Sequence, residues 1–253
     1  MFLIRLDNFD PFMEAIIQMH QISKYADLKV SPLSFSTSVS HPTHGFAVKL
    51  HISPKFFANY SVDKHHRWRI SLVSFQDAMF IARKRCLASM NLIFLQNMNQ
   101  LTLIFSTSRN ADALQFGLEL SPSQQEVDGG AVDFANFFSI YSKDLRRYIL
   151  INYFPRDPAC VTNVTVTNSQ VKISMENEEL VILSKKDGEC DIVGYEEVET
   201  QFQIKLHILP IFLKMASEDE KIWFYRTMNS HCGMFIPTFE SLAHYDVIYF
   251  PRS

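Results

Sequence analysis

The stretch Phe2–Ile22, FLIRLDNFDPFMEAIIQMHQI, joins a short strand pattern to a helix pattern. Ile4 and Leu6 alternate with charged residues, which is the period of a half-buried strand. Phe9 follows three positions after Leu6, and Pro11 then stands near a helix start, where its missing N–H needs no partner. The stretch predicts a strand that leads directly into an amphipathic helix, whose inward residues are Phe12, Ala15, Ile16, Met19 and Ile22. The residues predicted to face solvent are Glu14, Gln18, Gln21 and Tyr25.

The same strand-to-helix pattern occurs four times along the chain. In each copy two inward apolar residues end a strand, and a third apolar residue follows three positions later. The copies are Ile4, Leu6, Phe9; Ile70, Leu72, Phe75; Ile149, Ile151, Phe154; and Ile204, Leu206, Leu209. The helices predicted after the last three copies run from Gln76 to Ser89, from Pro155 to about Val161, and around Ile211, Phe212 and Met215. A supersecondary unit that recurs in this way indicates a repeat architecture.

Hairpin patterns and one linker pattern organise the rest of the chain. After each helix the sequence returns to alternating strands separated by Asn, Ser and Gly, which is hairpin chemistry. Segment 119–133, ELSPSQQEVDGGAVD, has the Pro, Ser, Gln and Gly-Gly content of a linker. We therefore expect an N-terminal domain at 1–118, a connector at 119–133 and a C-terminal domain at 134–253. Each domain is expected to hold two β-α-β-β-β units.

Composition excludes several classes of protein. The hydrophobic share of 47% and charged share of 20% are those of a globular chain, and the 22 Phe predict a large aromatic core. A net charge of −3 argues against a wholly basic nucleic-acid binder but allows a local basic surface. The sequence contains neither an apolar run of about 18 residues nor a basic, then apolar leader. We expect no membrane span and no signal peptide.

No strong catalytic, metal or cofactor motif stands out. Neither phosphate-binding glycine motif occurs, nor does G-x-S-x-G or H-E-x-x-H. His41, His44 and His51 fit no strong zinc spacing and are predicted to lie in loops. The cysteines form no C-x-x-C pair, which argues against a zinc site or disulfide framework and fits a reducing compartment. They are Cys86, Cys160, Cys190 and Cys232. We expect a non-enzymatic protein without a metal or cofactor.

The four-fold repeat with a connector in its middle resembles a eukaryotic DNA sliding-clamp subunit. The opening MFLIRL is similar to the start of proliferating cell nuclear antigen. The segment Ser53–Tyr60, SPKFFANY, resembles the P-x-F-F-x-x-Y pattern of the Rad-nine subunit of the checkpoint clamp, the nine-one-one complex. ISLVSF at Ile70–Phe75 and FIPTFESL at Phe235–Leu242 resemble further segments of that subunit. The likeness spans essentially the whole chain.

This resemblance implies an α+β DNA-clamp fold whose helices line a ring interior. It implies a Rad-nine-like subunit of a heterotrimeric DNA damage checkpoint clamp, which encircles double-stranded DNA without sequence specificity and recruits checkpoint signalling and repair proteins. The implied partners are Hus-one-like and Rad-one-like subunits and a clamp loader, and the implied location is the nucleus. The phosphorylated tail of Rad-nine proteins is not in this sequence, so no tail-dependent signalling is assigned to it.

Two other functions stay open at this point. A divergent replicative clamp would form a homotrimer that gives polymerases processivity. An α+β enzyme with a cleft between two domains is the third possibility, against which the missing catalytic motifs and the four-fold repeat both count.

Two sites follow from the clamp resemblance. Arg83-Lys84-Arg85 is the densest basic run and lies in a helical stretch, so it is expected to face DNA through phosphate contacts. A solvated helix face is the alternative. Further DNA-facing candidates on or near the other helices are His20, Lys24, Arg156 and Lys214. Partner peptides of clamps dock between the connector and the C-terminal strand, where the candidates are Val127, Tyr249, Phe250 and Pro251. An ordinary linker beside a core strand is the alternative there.

Overall fold

The computed structural model describes most of the chain, which forms two compact units. One unit consists of Met1–Ser40 and Val48–Glu126, and the other of His41–Ala47 and Val127–Ser253. The described residues are 1–41, 45–95, 99–107, 113–123, 132–153, 162–175, 178–195, 199–205, 209–227 and 232–250, with side chains for all except 149–153, 178–179 and 209. Within these ranges, none of the helices has the length and apolar character that a membrane span requires.

In the first unit, the order of one strand, one helix and three strands occurs twice. Its elements are β1 (Phe2–Leu6), α1 (Asp10–His20), β2 (Tyr25–Ser31), β3 (Ser34–His41), β4 (Phe46–Ile52), β5 (Asn59–Val62), β6 (His66–Ser71), α2 (Leu72–Lys84), β7 (Ser89–Phe94), β8 (Gln100–Ser106) and β9 (Ala113–Glu119). One sheet has the order β5-β1-β7-β8-β9, and the other strands follow the order β4-β3-β2-β6. Each helix therefore follows the first strand of its own β-α-β-β-β repeat, α1 after β1 and α2 after β6, as the sequence pattern predicts.

The second unit has the same plan. Its elements are β10 (Val132–Tyr141), α3 (Ser142–Tyr153), β11 (Thr162–Val166), β12 (Gln170–Met175), β13 (Glu178–Ser184), β14 (Asp191–Val193), β15 (Thr200–Ile204), α4 (Leu209–Leu213), β16 (Lys221–Thr227), β17 (Cys232–Thr238) and β18 (Ala243–Tyr249). The strand orders are β13-β12-β11-β15 and β14-β10-β16-β17-β18. The β-α-β-β-β repeat is confirmed, with β5 and β14 as additional short strands.

Aromatic side chains fill both cores, as the Phe content predicts. In the first unit the ring of Phe12 lies 5.7 Å from that of Phe35 and 5.7 Å from that of Phe75, so α1, α2 and β3 meet around one ring. In the second unit the ring of Phe138 stacks on that of Phe224 at 4.7 Å. Such pairs add stabilisation beyond the area they bury.

The first two helices differ from prediction mainly in detail. On α1, Gln18 was expected to face solvent but is buried beside the predicted apolar face. The second helix spans Leu72–Lys84 rather than Gln76–Ser89, and Ser89 begins β7 instead. It begins at Leu72 because the Ser71 side chain accepts a hydrogen bond from the Ser74 N–H at 3.2 Å and caps the helix there. Leu72 is therefore the first helical residue and not the last residue of a strand.

The third copy of the repeat was placed wrongly. Ile149 and Ile151, predicted to end a strand, lie inside α3. The apolar run around them fits either period, so alternation alone could not distinguish strand from helix. The strand that enters this helix is β10, where Ile140 is followed by the buried Leu145, the same five-residue separation as between Ile4 and Phe9. Phe154, Leu206 and the helix predicted at 155–161 lie outside the described residues.

Candidate DNA-binding helices and partner sites

The basic run 83–85 lies at the C-terminal end of α2, and all three side chains are exposed. Arg83 is turned toward α1, where its Nε lies 3.6 Å from Asp10 Oδ1 and its Nη1 lies 3.8 Å from Glu14 Oε1. Exposed ion pairs of this kind are individually weak, but these two carboxylates partly cancel the charge of Arg83. Lys84 is therefore a stronger candidate for phosphate contacts than Arg83.

The remaining outward surface of α2 is not basic. Val73, Phe80 and Ile81 are exposed on it, and Asp77 lies among them. Positive charge on this helix is thus confined to its last turn and cap. Any phosphate contact made by α2 must come from that end.

The other predicted DNA-facing residues lie near helix ends. His20 is the last residue of α1 and is half-buried, while Lys24 is exposed in the link to β2. The Lys24 carbonyl accepts a hydrogen bond from the N–H of Leu72 at 2.9 Å, which places Lys24 beside the start of α2. Lys214 directly follows α4 and is exposed. Arg156 lies outside the described residues.

Sequence reasoning missed Arg147 on α3, because it placed the third helix too late in the chain. Arg147 is exposed. Its neighbour Arg146 turns inward instead, and its Nη2 donates to the carbonyl oxygens of Leu213, the last residue of α4, and of Ala216, which follows the helix. The adjacent arginines at 146–147 were the available signal. Arg147 is therefore a further candidate for phosphate contacts, on a helix for which the sequence offered Arg156.

The described part of the predicted peptide pocket is largely core. The Tyr249 ring is buried, and its hydroxyl donates to the carbonyl of Lys205 at 3.3 Å. Phe250 is half-buried, and its N–H donates to the Gly45 carbonyl at 2.8 Å. Val127 and Pro251 lie outside the described residues. Phe250 is therefore the one predicted pocket residue that the described structure leaves partly accessible.

Two long strands lie at sheet edges. β9 and β13 each have seven residues, and each ends the order of its sheet. An edge strand presents backbone N–H and C=O groups that can pair with another chain. On β13 the Ile182 side chain is 46% exposed, so this edge also offers apolar surface.

Within the P-x-F-F-x-x-Y segment, Phe57 reaches the core, while its neighbours are half-buried or exposed. Phe57 is buried with its ring 5.5 Å from Phe35 and 5.3 Å from Tyr60. The Tyr60 hydroxyl donates to the carbonyl of Ser31 at 2.7 Å, and burial raises the pKa of Tyr60 to about 12. These contacts give Phe57 and Tyr60 a structural role in packing against β2 and β3.

Two of the three histidines predicted to lie in loops are instead on strands. His41 ends β3 and His51 lies within β4, while His44 lies outside the described residues. On β3 the prediction failed because Ser, Thr and His outnumber apolar residues, which is the composition of a loop. On β4 the alternation of Phe46, Val48, Leu50 and Ile52 around His51 was the available signal for a strand.

Burial raises the pKa of several tyrosines and cysteines. It raises the pKa of the Cys190 thiol to about 11, and it also raises the pKa of the Cys232 thiol and of the Tyr245 hydroxyl. All three groups are protonated at neutral pH, and a protonated thiol is not a nucleophile. Their shifts therefore reflect core packing rather than an activated group.

The fold is similar to that of a solved clamp structure. PCNA from Thermococcus kodakaraensis superposes with a TM-score of 0.76 over 100% of both chains, at 15% sequence identity. The chain has the DNA sliding-clamp fold. No family model matches it, and no curated protein matches it. The clamp fold that the family resemblance implied is thereby confirmed, and at this identity the likeness concerns the fold alone.

Proposed function

We propose that the chain is a non-enzymatic subunit of a ring-shaped clamp that encircles double-stranded DNA. The observation that carries this proposal is the clamp fold over the full length of the chain. Exposed cations at or near helix ends support it, because scattered lysines and arginines bind phosphates without reading sequence. A closed ring stays on DNA because it encircles it, so it needs no stronger contact with the DNA.

Ring closure would use the exposed sheet edges. An edge strand of one subunit that pairs with an edge strand of the next continues the sheet across the interface. β9 and β13 are the best suited, because at seven residues they exceed β5 with four and β15 with five. In a heterotrimer each edge must select an unlike partner.

Within this class we infer a Rad-nine-like subunit of the heterotrimeric DNA damage checkpoint clamp. The SPKFFANY segment supports this inference through its resemblance to the Rad-nine pattern. The partners would be Hus-one-like and Rad-one-like subunits and a clamp loader, and the loaded ring in the nucleus would recruit checkpoint signalling and repair proteins. A homotrimeric replicative clamp is the second candidate, which the full-length match to a protein named PCNA favours.

Molar mass separates the two candidates. Light scattering of the purified chain should show no trimer of itself, and addition of the two partner subunits should give a complex of three different chains. A stable homotrimer would instead establish the replicative alternative.

Substitutions at an edge test the assembly mode. Ile182→Glu places a charge on the β13 edge and should abolish the three-chain complex. Val193→Glu on β14 is the matched control, since Val193 is 43% exposed and Ile182 is 46% exposed. If both variants assemble like the unaltered chain, ring closure does not use β13.

A further inference from the structure

One face of the second helix is exposed and largely apolar. Val73, Phe80 and Ile81 are exposed on it. Together with Asp77 they stand three or four positions apart, so they lie next to one another along α2. The opposite face of the helix is buried in the core of the first unit. We call Val73, Phe80 and Ile81 the apolar stripe.

Cations border the apolar stripe at the C-terminal end of the helix. Lys84 lies one turn beyond Phe80 and on the same face, since residues four apart are neighbours on a helix. Arg85 follows as the cap residue, and both side chains are exposed. Arg83 is turned toward α1, where two carboxylates lie within 3.8 Å of its guanidinium group. The cation best placed to meet a phosphate beside the stripe is therefore Lys84.

A DNA duplex gives an apolar side chain little to contact. Its outer surface consists largely of charged phosphates, and the flat faces of its bases are stacked on one another. An unpaired nucleotide exposes the face of its base, and such bases stack on aromatic side chains of proteins that bind single strands. Phe80 and Lys84 are separated by about 6 Å along the helix axis, so a base and a nearby phosphate of one strand can reach both.

We propose that the apolar stripe and Lys84 form a contact site for unpaired nucleotides, in which Phe80 stacks on a base and Lys84 meets the phosphate backbone. The inference rests on the proposed function, which turns α2 toward DNA. Charge complementarity identifies the occupant, because the cation favours a polyanion and the exposed ring favours one that has flat apolar faces. Asp77 repels phosphates from the middle of the stripe, so the backbone runs past its Lys84 end.

Short single-stranded and double-stranded probes test the site. They are a fluorescein-labelled oligothymidylate of about ten nucleotides, a length that one binding surface covers, and a labelled blunt-ended duplex. Fluorescence anisotropy measures their affinities for the single chain. Phe80→Ala should weaken oligothymidylate binding about tenfold, as expected for one stacked base, and leave duplex binding nearly unchanged. Lys84→Gln should weaken binding of both probes, because both present phosphates.

Matched substitutions separate stacking from a general apolar contact. Phe134→Ala is the control, because Phe134 is an exposed phenylalanine of the second unit, and it should bind both probes like the unaltered chain. Phe80→Trp should keep the oligothymidylate affinity, whereas Phe80→Leu should lose it, since leucine is apolar but has no ring to stack. The fluorescence that Phe80→Trp adds should be quenched by the oligothymidylate and not by the duplex.

Three results would overturn the proposal. The first is equal oligothymidylate affinity of the Phe80→Ala and Phe134→Ala variants. The second is a loss of duplex affinity in Phe80→Ala by the same factor as the loss of oligothymidylate affinity. The third is an unaltered chain that does not bind the oligothymidylate at low salt. Retention of the assembled ring on closed circular DNA is a separate measurement, so failure of this inference is distinguishable from failure of the proposed function.

Discussion

At the scale of single residues, two phenylalanines of α2 separate core from surface. Phe75 is fully buried and contacts Phe12, whereas Phe80, little more than one turn later, is 36% exposed. Phe75→Ala should lower the free energy of unfolding by about 3–5 kcal/mol, because it leaves a cavity among rings. Phe80→Ala should cost less than about 1 kcal/mol.

Urea unfolding followed by tryptophan fluorescence measures both substitutions. A Trp223→Phe background leaves Trp68, which lies in the same unit as α2, as the reporter. Equal destabilisation by the two alanines would mean that the helix packs through a different face.

The thiols provide a test with a pH dependence. Cys86 is exposed, while Cys190 is buried with a pKa raised to about 11. In a Cys160→Ser background, Cys86 should react rapidly with iodoacetamide at pH 8, and Cys190 and Cys232 should react only in denaturant. Because the raised pKa keeps the thiol protonated, alkylation of native Cys190 should increase only as the pH approaches 11. Fast alkylation of all three cysteines at pH 8 would contradict the burial described above.

The burial of single residues was predictable wherever the pattern of apolar and polar residues is regular. Ile4, Phe9 and Phe75 were identified as core because each stands at a strand end or on an apolar helix stripe. Gln18 was not, since a polar residue at the border of an apolar stripe gives no sign of being covered.

At the scale of elements, the salt bridges between α1 and α2 involve Arg83 of the basic run, so Arg83 and Lys84 are expected to contribute unequally to DNA binding. Lys84→Gln should weaken DNA binding by the assembled ring and reduce the slope of log affinity against log salt by roughly one unit. Arg83→Gln should have a smaller effect, because Asp10 and Glu14 already partner that guanidinium.

Removal of the Asp10 and Glu14 carboxylates should have the opposite effect on DNA affinity. Asp10→Asn with Glu14→Gln should raise DNA affinity, since Arg83 is released and two negative charges are lost. Measurements across a salt series provide the comparison, with size exclusion as the control for assembly. If Arg83→Gln proved as damaging as Lys84→Gln, the ion pairs would not persist on DNA.

Elements were predictable to different degrees. The pattern of α1 is unambiguous, because its apolar residues recur at helical spacing after Pro11. The error in α3 arose because YILIN fits both strand and helix periods, and the error removed Arg147 from consideration. Any strand that is predicted from alternation alone has the same ambiguity between strand and helix.

At the scale of the whole molecule, the fold was accessible from sequence because it repeats. The other three copies were enough to indicate a repeat although the third was misplaced, so the error did not change the predicted clamp architecture. The closeness of Lys29 on β2 to Arg67 on β6 was not predictable, because the two residues are far apart in sequence and stand opposite each other only through strand order. Composition gave no hint of it either, since the chain is acidic overall.

We propose that the assembled ring holds DNA by encircling it, and the topology of the DNA tests this proposal most directly. The complex should be loaded onto a closed circular plasmid with its partners and clamp loader, washed at high salt, and then exposed to a restriction enzyme that cuts once. Encirclement predicts retention on the closed circle and release after the cut, because the ring slides off a free end. Equal retention on circular and linear DNA would contradict it and would show that surface contacts alone hold the complex.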